Sequence, residues 1–449
     1  MTRIIPGVEI QVVKEIVPQQ LNPSGVVALI GTTQKGEALV PTAVSSYAEF
    51  ADKFGNSENF TVTREAKMAF ANGVFQVVVV PITGQNGTKA TLMLKDRKGK
   101  DAVLLTAKPS GEDGNKIQVK IEGDTETFRL SVSDGNVIEI YDGVTMVPST
   151  DTYLVDQINN KSAIITAADQ HSNAKAPNNN PAPADGMLYG GVTGVVSKAD
   201  YESALDKIEG EPDVDMVAAP GVTDPEIFAL IEAHCMRMSM DCKNRIGIGT
   251  IKSGESIKDI CDRTTTMASD RFILVAPSGC VGAVAGMIGK LNYFESPTFK
   301  SLSGLAKLEA KYTPSEQMEM LKAGVVPLEA QKGRGIVVVK GISTSKEQIS
   351  VTRIADHAVR GVKGVSDLFI GTLNSANGRA ALKGKITEFL SRMESEGAIV
   401  PSTDGSDPAF LVDVYSTQLD FAQGIVRVNI AVRPVRAMDY IYATIKVEA

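Results

Sequence analysis

The 449-residue sequence contains no tryptophan, and its other aromatic residues are limited to 10 tyrosines and 14 phenylalanines. The formal net charge is −7, from 46 Lys and Arg against 53 Asp and Glu. Proteins that bind single-stranded nucleic acid stack bases on aromatic rings and follow the phosphate backbone with positive charge. Because the sequence supplies little of either, we expect no direct contact with nucleic acid.

Cysteine and histidine are also scarce. The four cysteines contain no Cys-x-x-Cys pair, which argues against a zinc ribbon or a redox motif and favours reduced thiols. There are three histidines: His171, His234 and His357. The last two lie on predicted helices with no carboxylate or second histidine at ligand spacing. We therefore predict no catalytic residue, no metal and no cofactor.

Long hydrophobic runs are missing as well. The longest uncharged, mostly small-apolar run is about Gly279–Gly289, far short of the roughly 20 residues that a membrane span needs. The first 16 residues have no apolar stretch of signal-peptide length, since Pro6 and Glu9 interrupt it. We expect a soluble chain with no membrane insertion and no classical export signal.

The glycine-rich segments depart from the motifs that carry nucleotide or acyl chemistry. Before Gly289-Lys290, a phosphate-binding loop would need glycine where Val284 stands and a hydroxyl where Leu291 stands. Small-residue helix packing is the simpler interpretation. Pro277-Ser278-Gly279 lacks the flanking glycines of a nucleophile elbow and favours a strand-to-helix turn with Ser278 as N-cap.

What the sequence does contain is an alternation of buried strands and helices. Val26–Gly31 and Val77–Val80 are continuous apolar runs, typical of strands covered on both faces, with two short helical patterns between them. The alternation stops near Gly87 and resumes after Gly191. We predict an α/β (α+β) core with mixed sheets and flanking helices, made from residues 26–87 and 191–340. We predict a further C-terminal domain at 341–449, with helices at Val351–Val359 and Ala380–Glu396.

The residues between the two core segments have a different pattern. Five short alternating stretches are separated by Gly-Lys, Gly-Asn and Asp-Gly turn signals: Thr91–Leu94, Val103–Thr106, Ile117–Ile121, Thr127–Val132 and Val137–Tyr141. We predict an inserted all-β outer domain at 88–190, with Asn173–Asp185 as an exposed loop.

Both ends of the chain read as extended strand arms. Val8, Ile10 and Val12 alternate with polar residues in an N-terminal arm spanning 1–25. Near the other end Val426, Val428, Ile430 and Val432 alternate, and a second strand follows Pro434 at Ile441–Val447. A lone strand is unstable in water. These strands therefore either join a sheet of their own chain or add to a sheet of a neighbouring subunit.

An ordered set of segments resembles the tail sheath proteins of contractile phage tails and related injection machines. The segments are Pro6-Gly7-Val8-Glu9 before Val26–Gly31, Ala276-Pro277-Ser278-Gly279 before Phe294-Glu295-Ser296-Pro297, Gly333-Arg334-Gly335-Ile336-Val337-Val338, helix Ile386–Met393 before Gly397-Ala398, and Gly424-Ile425-Val426-Arg427-Val428 with Arg433-Pro434-Val435-Arg436. The resemblance covers roughly 1–87 and 191–449. Many relatives carry a tryptophan where this sequence reads Tyr293-Phe294.

The resemblance implies a structural subunit, not an enzyme, that polymerises as stacked hexameric rings around a tail tube and contracts to drive the tube through a cell envelope. Its partners would be further copies of itself, the tail tube protein, and baseplate and tail terminator proteins. It would assemble in the bacterial cytoplasm and reside in a virion tail or injection particle. The terminal strand arms would link subunits, and the helix carrying Arg379, Lys383 and Lys385 would contact the tube.

Two alternatives stay open from the sequence. One is another tail or capsid component carrying a β decoration domain. The other is an α/β enzyme whose site the motifs do not reveal.

Overall fold

The computed structural model describes residues 25–84, 87–109, 111–135, 137–211, 213–264 and 267–443. The predicted strand residues Val8, Ile10 and Val12, and the predicted strand end at Ile445 and Val447, lie outside them. The strands are β1 Val26–Gly31, β2 Thr42–Val44, β3 Gln76–Pro81, β4 Thr91–Lys95, β5 Asp101–Ala107, β6 Gln118–Gly123, β7 Phe128–Ser133, β8 Ile138–Val144, β9 Ile165–Asp169, β10 Ala184–Met187, β11 Val214–Ala218, β12 Ile246–Thr250, β13 Phe272–Ala276, β14 Ser301–Leu302, β15 Val325–Gln331, β16 Gly335–Val338, β17 Phe410–Tyr415 and β18 Arg427–Val432. The helices are α1 Tyr47–Phe54, α2 Thr61–Ala71, α3 Leu154–Lys161, α4 Lys198–Ile208, α5 Pro225–Met240, α6 Ile257–Thr264, α7 Val281–Lys290, α8 Pro314–Ala323, α9 Ile349–Asp367, α10 Ala376–Ser395 and α11 Gln418–Ala422.

A mixed sheet forms the centre of the α/β core, with strand order β14-β16-β15-β13-β12-β11-β1-β3-β2. The strands from β15 to β3 run parallel, whereas β2, β16 and β14 pair antiparallel at the two edges. Helices α1, α2 and α7 cover one face, and α4, α5, α6 and α8 cover the other. Strands β1 and β13 are buried along their whole length, which is why their sequences are continuously apolar. The predicted mixed α/β fold is confirmed.

Helices α2 and α7 approach each other more closely than side chains normally allow. A Cβ atom on Gly282 would lie 2.0 Å from the carbonyl oxygen of Glu65, and one on Gly286 would lie 2.2 Å from that of Ala69. The glycines of the 279–289 run therefore serve helix packing, as the sequence predicted.

The start of α7 corrects one prediction. The N-cap position is Cys280, not Ser278, and the Ser278 hydroxyl donates instead to Glu309. The buried carboxylate of Glu65 accepts the backbone N–H of Gly282 at 2.6 Å. A residue from the neighbouring helix thus satisfies an N–H group that an N-cap side chain would otherwise take. Burial raises the pKa of Glu65, and the Gly282 hydrogen bond opposes that rise.

The inserted region contains two antiparallel sheets, in the orders β10-β6-β7-β8 and β4-β5-β9, around a hydrophobic core of its own. All five predicted strands are present. Two details differ from the prediction of an all-β unit with an exposed loop. Residues 154–161 form helix α3, whose Leu154 and Ile158 are buried in this core. Asn180 is 1% exposed because its side chain bonds the backbone of Met146, Thr125 and Glu126.

In the C-terminal region, α9 packs against α10. The two-stranded sheet β17-β18 packs against the same helix, α10. The predicted helices are present but longer than their patterns indicated. Residues 441–443 are exposed and are not part of a strand, so that portion of the predicted closing strand is wrong within this chain.

The close contact between α2 and α7 gives a first prediction. Gly282→Ala should lower the free energy of unfolding by about 1–3 kcal/mol, because the two helix backbones must separate to admit a methyl group. Gly384→Ala in α10 is the control, since nothing lies within 4 Å of a Cβ there. It should be neutral or stabilising by up to about 1 kcal/mol. Urea unfolding of both variants measures the difference, and equal effects would contradict the packing argument.

The junction of the inserted region gives a second prediction. Its two ends lie side by side, with Thr88 N–H donating to the Val192 carbonyl at 3.0 Å and Val192 N–H donating back at 3.1 Å. Joining Gly87 directly to Gly191 should therefore leave the core fold intact. Calorimetry of the shortened chain should still show one cooperative transition. Loss of that transition would show that the insertion belongs to the core.

Candidate functional site

The three basic residues predicted to contact a tube lie near the start of α10 but do not share one face. Arg379 and Lys383 are four residues apart and therefore neighbours on the helix surface, whereas Lys385 lies two positions further around it. The Arg379 guanidinium donates to the Asn374 carbonyl at 3.1 Å and to Asn374 Oδ1 at 2.7 Å. Lys385 pairs with Glu388 at 3.0 Å and is half-buried. Lys383 is exposed, so it presents its charge most directly to solvent.

The C-terminal residues predicted to form an inter-subunit strand are paired within the chain. Strand β18 runs antiparallel to β17, from Phe410 opposite Val432 to Tyr415 opposite Arg427. Of the two alternatives that the sequence left open, these residues take the first and join a sheet of their own chain, whereas their addition to a neighbouring subunit stays a prediction. Val428, Ile430 and Val432 are half-buried against the hydrophobic cluster of α9 and α10, and Val426, just before β18, joins them. Such a face provides the support that a two-stranded ribbon lacks in water.

A bidentate ion pair holds the connection into β18. Arg427 Nε and Nη2 donate to the two carboxylate oxygens of Asp420 at 2.9 and 2.8 Å. This pairing, with the Thr417 hydroxyl, holds the pKa of Asp420 far below its usual range.

The β17-β18 sheet keeps two open edges. Within the part of the chain that the structure describes, each of these strands pairs only with the other. Along each outer edge, the backbone N–H and C=O groups of every second residue can therefore form hydrogen bonds with a further strand. An extended segment can be bound in this way through main-chain hydrogen bonds, with side-chain alternation setting the register.

A buried charge cluster lies where α9 meets the start of the parallel strands. The Arg271 guanidinium donates to both carboxylate oxygens of Asp356 at 2.6 and 2.7 Å, and Asn244 Nδ2 donates to one of them at 2.8 Å. A second pair joins Arg360 to Asp215 of β11. Burial raises the pKa of Asp356, and Arg271 opposes that rise.

Arg353, also on α9, has no carboxylate among its described hydrogen-bond partners although it is only 8% exposed. Its guanidinium donates to the carbonyls of Leu291 and Asn292 at 3.0 Å each. These carbonyls close the C-terminus of α7, where the helix dipole favours a cation. Burial nevertheless lowers the pKa of Arg353 to about 10.

The cluster joins α9 to the central sheet and leaves little space between its side chains. The cavity between its residues has a volume of about 30 Å³, which is room for about one water molecule. Sequence reasoning missed these residues. The available signal was the spacing of Arg353, Asp356 and Arg360, which places three charges on one face of a helix that also carries apolar residues.

His234 is buried and His357 is half-buried, and their surroundings favour the neutral form of both rings. His234 Nε2 accepts from Arg245 at 2.8 Å, and burial lowers the pKa of His234 to about 3. The His357 ring stacks on Tyr293 with ring centres 3.7 Å apart, and burial lowers its pKa to about 4. Neither value suits a general base at neutral pH. His171 is exposed.

A larger cleft lies at the carboxyl ends of β1 and β3, where ligands bind in open α/β sheets. It has a volume of about 230 Å³ and is bounded by Thr32, Thr83 and the inserted region. Two of the charged residues that line it, Lys116 and Asp113, form an ion pair with each other at 2.6 Å. Among the described residues, no three His, Cys, Asp or Glu side chains are grouped to hold a metal ion. No described helix has both the length and the apolar character to cross a membrane.

Two family models match consecutive parts of the sequence. Residues 194–344 match the phage tail sheath protein central domain, and residues 343–448 match the phage tail sheath C-terminal domain. Together they span more than half of the chain. No curated protein matches the sequence.

Solved sheath structures share the fold. The sheath tail protein of Desulfitobacterium hafniense is 17% identical, with a TM-score of 0.66 over 96% of this chain and 100% of its own. The sheath tail protein of Listeria innocua is 18% identical, with a TM-score of 0.61 and 93% of each chain covered. The helical sheath of the anti-feeding prophage in its contracted state is 14% identical, with a TM-score of 0.59 and 99% of each chain covered.

Proposed function

Because this chain belongs to the phage tail sheath protein family, we propose that it polymerises as stacked hexameric rings around a tail tube and contracts to drive that tube through a cell envelope. Members of this family are structural proteins. The observation that carries the proposal is the β17-β18 sheet with its two open edges, which lies within the residues matched to the C-terminal sheath domain.

Strand addition would link the subunits. Val8, Ile10 and Val12 of the N-terminal arm have the alternation that an open sheet edge selects, and β18 supplies such an edge through the residues around Val428 and Ile430. Each backbone hydrogen bond contributes about 1 kcal/mol net. A strand that makes several such bonds would join two subunits by several kcal/mol while leaving the folded body of each unchanged.

Contraction on this proposal needs no nucleotide. Assembly on the tube would trap the subunits in a packing of higher energy, and rotation of rigid subunits would reach one of lower energy. Support for rigidity comes from the partly buried Asp356–Arg271 and Asp215–Arg360 pairs, which join α9 to the central sheet.

The proposed partners follow from this role. They are further copies of the chain, a tail tube protein, and baseplate and tail terminator proteins at the ends of the sheath, in a virion tail or injection particle assembled in the bacterial cytoplasm. The inserted region at 88–190 would face outward, since its separate core allows it to vary without disturbing the body of the subunit. The proposed division into domains keeps the boundaries predicted from the sequence.

Electron microscopy of the purified chain tests the proposal and its linkage. The full chain should form wide striated tubes, whereas another tail component would give narrow smooth tubes and a capsid component or an enzyme discrete particles. Removal of residues 1–20 should leave a folded monomer that no longer polymerises, because the strand that bridges subunits is gone. Circular dichroism checks the fold of the shortened chain. Normal tubes from it would rule out a linking role for this arm.

The grip on the tube is tested by charge reversal in α10. Exposed ion pairs contribute only about 0–1 kcal/mol each, but six copies per ring repeated along a tail add up. Lys383→Glu with Lys385→Glu should weaken assembly on the tube at low salt and spare tube-free polymers. Of the single reversals, Lys383→Glu should have the larger effect because Lys383 is the more exposed.

Lys98→Glu with Lys100→Glu is the matched control, since both lysines are exposed on a turn of the insertion and their reversal changes the net charge equally. Sedimentation of mixtures with the tube protein measures the binding. If the variant with both α10 reversals binds the tube protein as strongly as the control variant does, this helix does not form the surface that contacts the tube.

A further inference from the structure

The first described residues are bound by a single carboxylate. The backbone N–H groups of Gly25 and Val26 both donate to Oδ2 of Asp215. The distance from the Val26 nitrogen to this oxygen is 3.1 Å. On its other side, Gly25 touches the C-terminal end of α7. A Cβ atom on Gly25 would lie 2.2 Å from the Gly289 carbonyl oxygen, and its φ of +121° is one that side chains rarely adopt. Only glycine fits at this point, between the Asp215 carboxylate and α7.

The same carboxylate also contacts helix α9. Oδ1 of Asp215 accepts from Arg360 Nη1, while Arg360 Nη2 donates to the Asn244 carbonyl. The hydrophobic cluster of α9 and α10 in turn supports β17 and β18. Asp215 therefore joins the point where the N-terminal arm meets the body to α9. Helix α9 packs against α10, which contacts the open-edged sheet.

An ion pair alone would not need this arrangement. Arg360 could be neutralised by Asp215 whether or not the carboxylate also bound two backbone amides. Hydrogen bonds to a charged acceptor are shorter and stronger than those between neutral groups. Because two such hydrogen bonds hold successive backbone amides, the backbone at the base of the arm is restricted to one direction.

We propose that Asp215 is a positioning residue that clamps the base of the N-terminal arm against α9 and so fixes where and in which direction the arm leaves the subunit. The inference rests on the proposed linking role of that arm. An arm whose base is already ordered explores less space and loses less conformational freedom when it pairs with a neighbour. Its effective concentration at the neighbouring sheet is correspondingly higher.

Amide exchange in the unassembled chain tests the clamp directly. Asp215→Ala should speed exchange at Gly25 and Val26 by about tenfold or more, because a charge-assisted acceptor is lost. Asp356→Ala is the matched control. It also removes a carboxylate that accepts hydrogen bonds from an arginine on this interface, and the two aspartate side chains are similarly exposed, at 14% for Asp215 and 9% for Asp356. The control should leave these two amides within about twofold of the original chain. Equal acceleration in both variants would overturn the clamp.

Assembly provides the second readout. Under conditions where both variants are fully folded, Asp215→Ala should need about tenfold more protein to form tubes than Asp356→Ala, which breaks the neighbouring ion pair but leaves the Gly25 and Val26 amides bonded. Gly25→Ala should reproduce the defect without changing any charge, since its methyl group displaces the base of the arm from α7. Unimpaired assembly of Asp215→Ala and Gly25→Ala would overturn the inference.

Two further outcomes concern failure of the variant to fold and failure of the unchanged chain to assemble. If Asp215→Ala does not fold, Asp215→Asn with Asp356→Asn as control replaces the pair, and faster exchange confined to Asp215→Asn supports the clamp. If the unchanged chain forms no tubes at all, the proposed function fails, and the exchange comparison alone then decides whether Asp215 holds the base of the arm.

Discussion

Burial of charge between α9 and the start of the parallel strands is the constraint on which the rest of this subunit depends. Ions removed from water must be paired or they destabilise the fold by several kcal/mol. Asp356 meets Arg271, Asp215 meets Arg360, and Arg353 meets the carbonyls that end α7. Each pair joins α9 to the central sheet or its helices. The regions matched to the central and C-terminal sheath domains are therefore held in one relative position.

The contacts that surround this interface are equally intolerant of displacement. Gly282 and Gly286 allow α7 to touch α2 backbone to backbone, and Gly25 touches the C-terminal end of the same helix. Close-packed interiors transmit displacement and do not absorb it. A body built in this way suits a protein whose proposed work is to move as a unit between two packings. The inserted region, with its separate core, is attached through adjacent strand-like ends and leaves this body undisturbed.

The β17-β18 sheet differs from this close-packed body in having only two strands, so both of its strands are edge strands. One face of the β17-β18 sheet packs against α10 and the hydrophobic cluster that α9 and α10 share, whereas the outer edges of the sheet remain available. Exposed edges invite association, and monomeric proteins usually protect them. In a family of assembling structural proteins the same feature is useful, since main-chain hydrogen bonds can join copies without any reshaping of the core.

The sequence by itself determined the alternation of strands and helices in the core, the strands of the insertion and the family. Continuous apolar runs such as Val26–Gly31 report strands covered on both faces, and alternation between 88 and 190 reports antiparallel pairs, because burial of a strand leaves a direct record in hydrophobicity. The resemblance to sheath proteins rests on short segments in a fixed order, and the family models confirm it.

Only the tertiary structure decided which partner each group found. No local pattern could show that Glu65, and not Ser278, binds the start of α7, or that β18 pairs with β17 and is not a lone strand. Nor could it show that Asp215 meets both Gly25 and Arg360, residues that are 190 and 145 positions away. Periodicity records how deeply a residue is buried, whereas a hydrogen bond or ion pair depends on the distance between atoms that chain folding alone brings together.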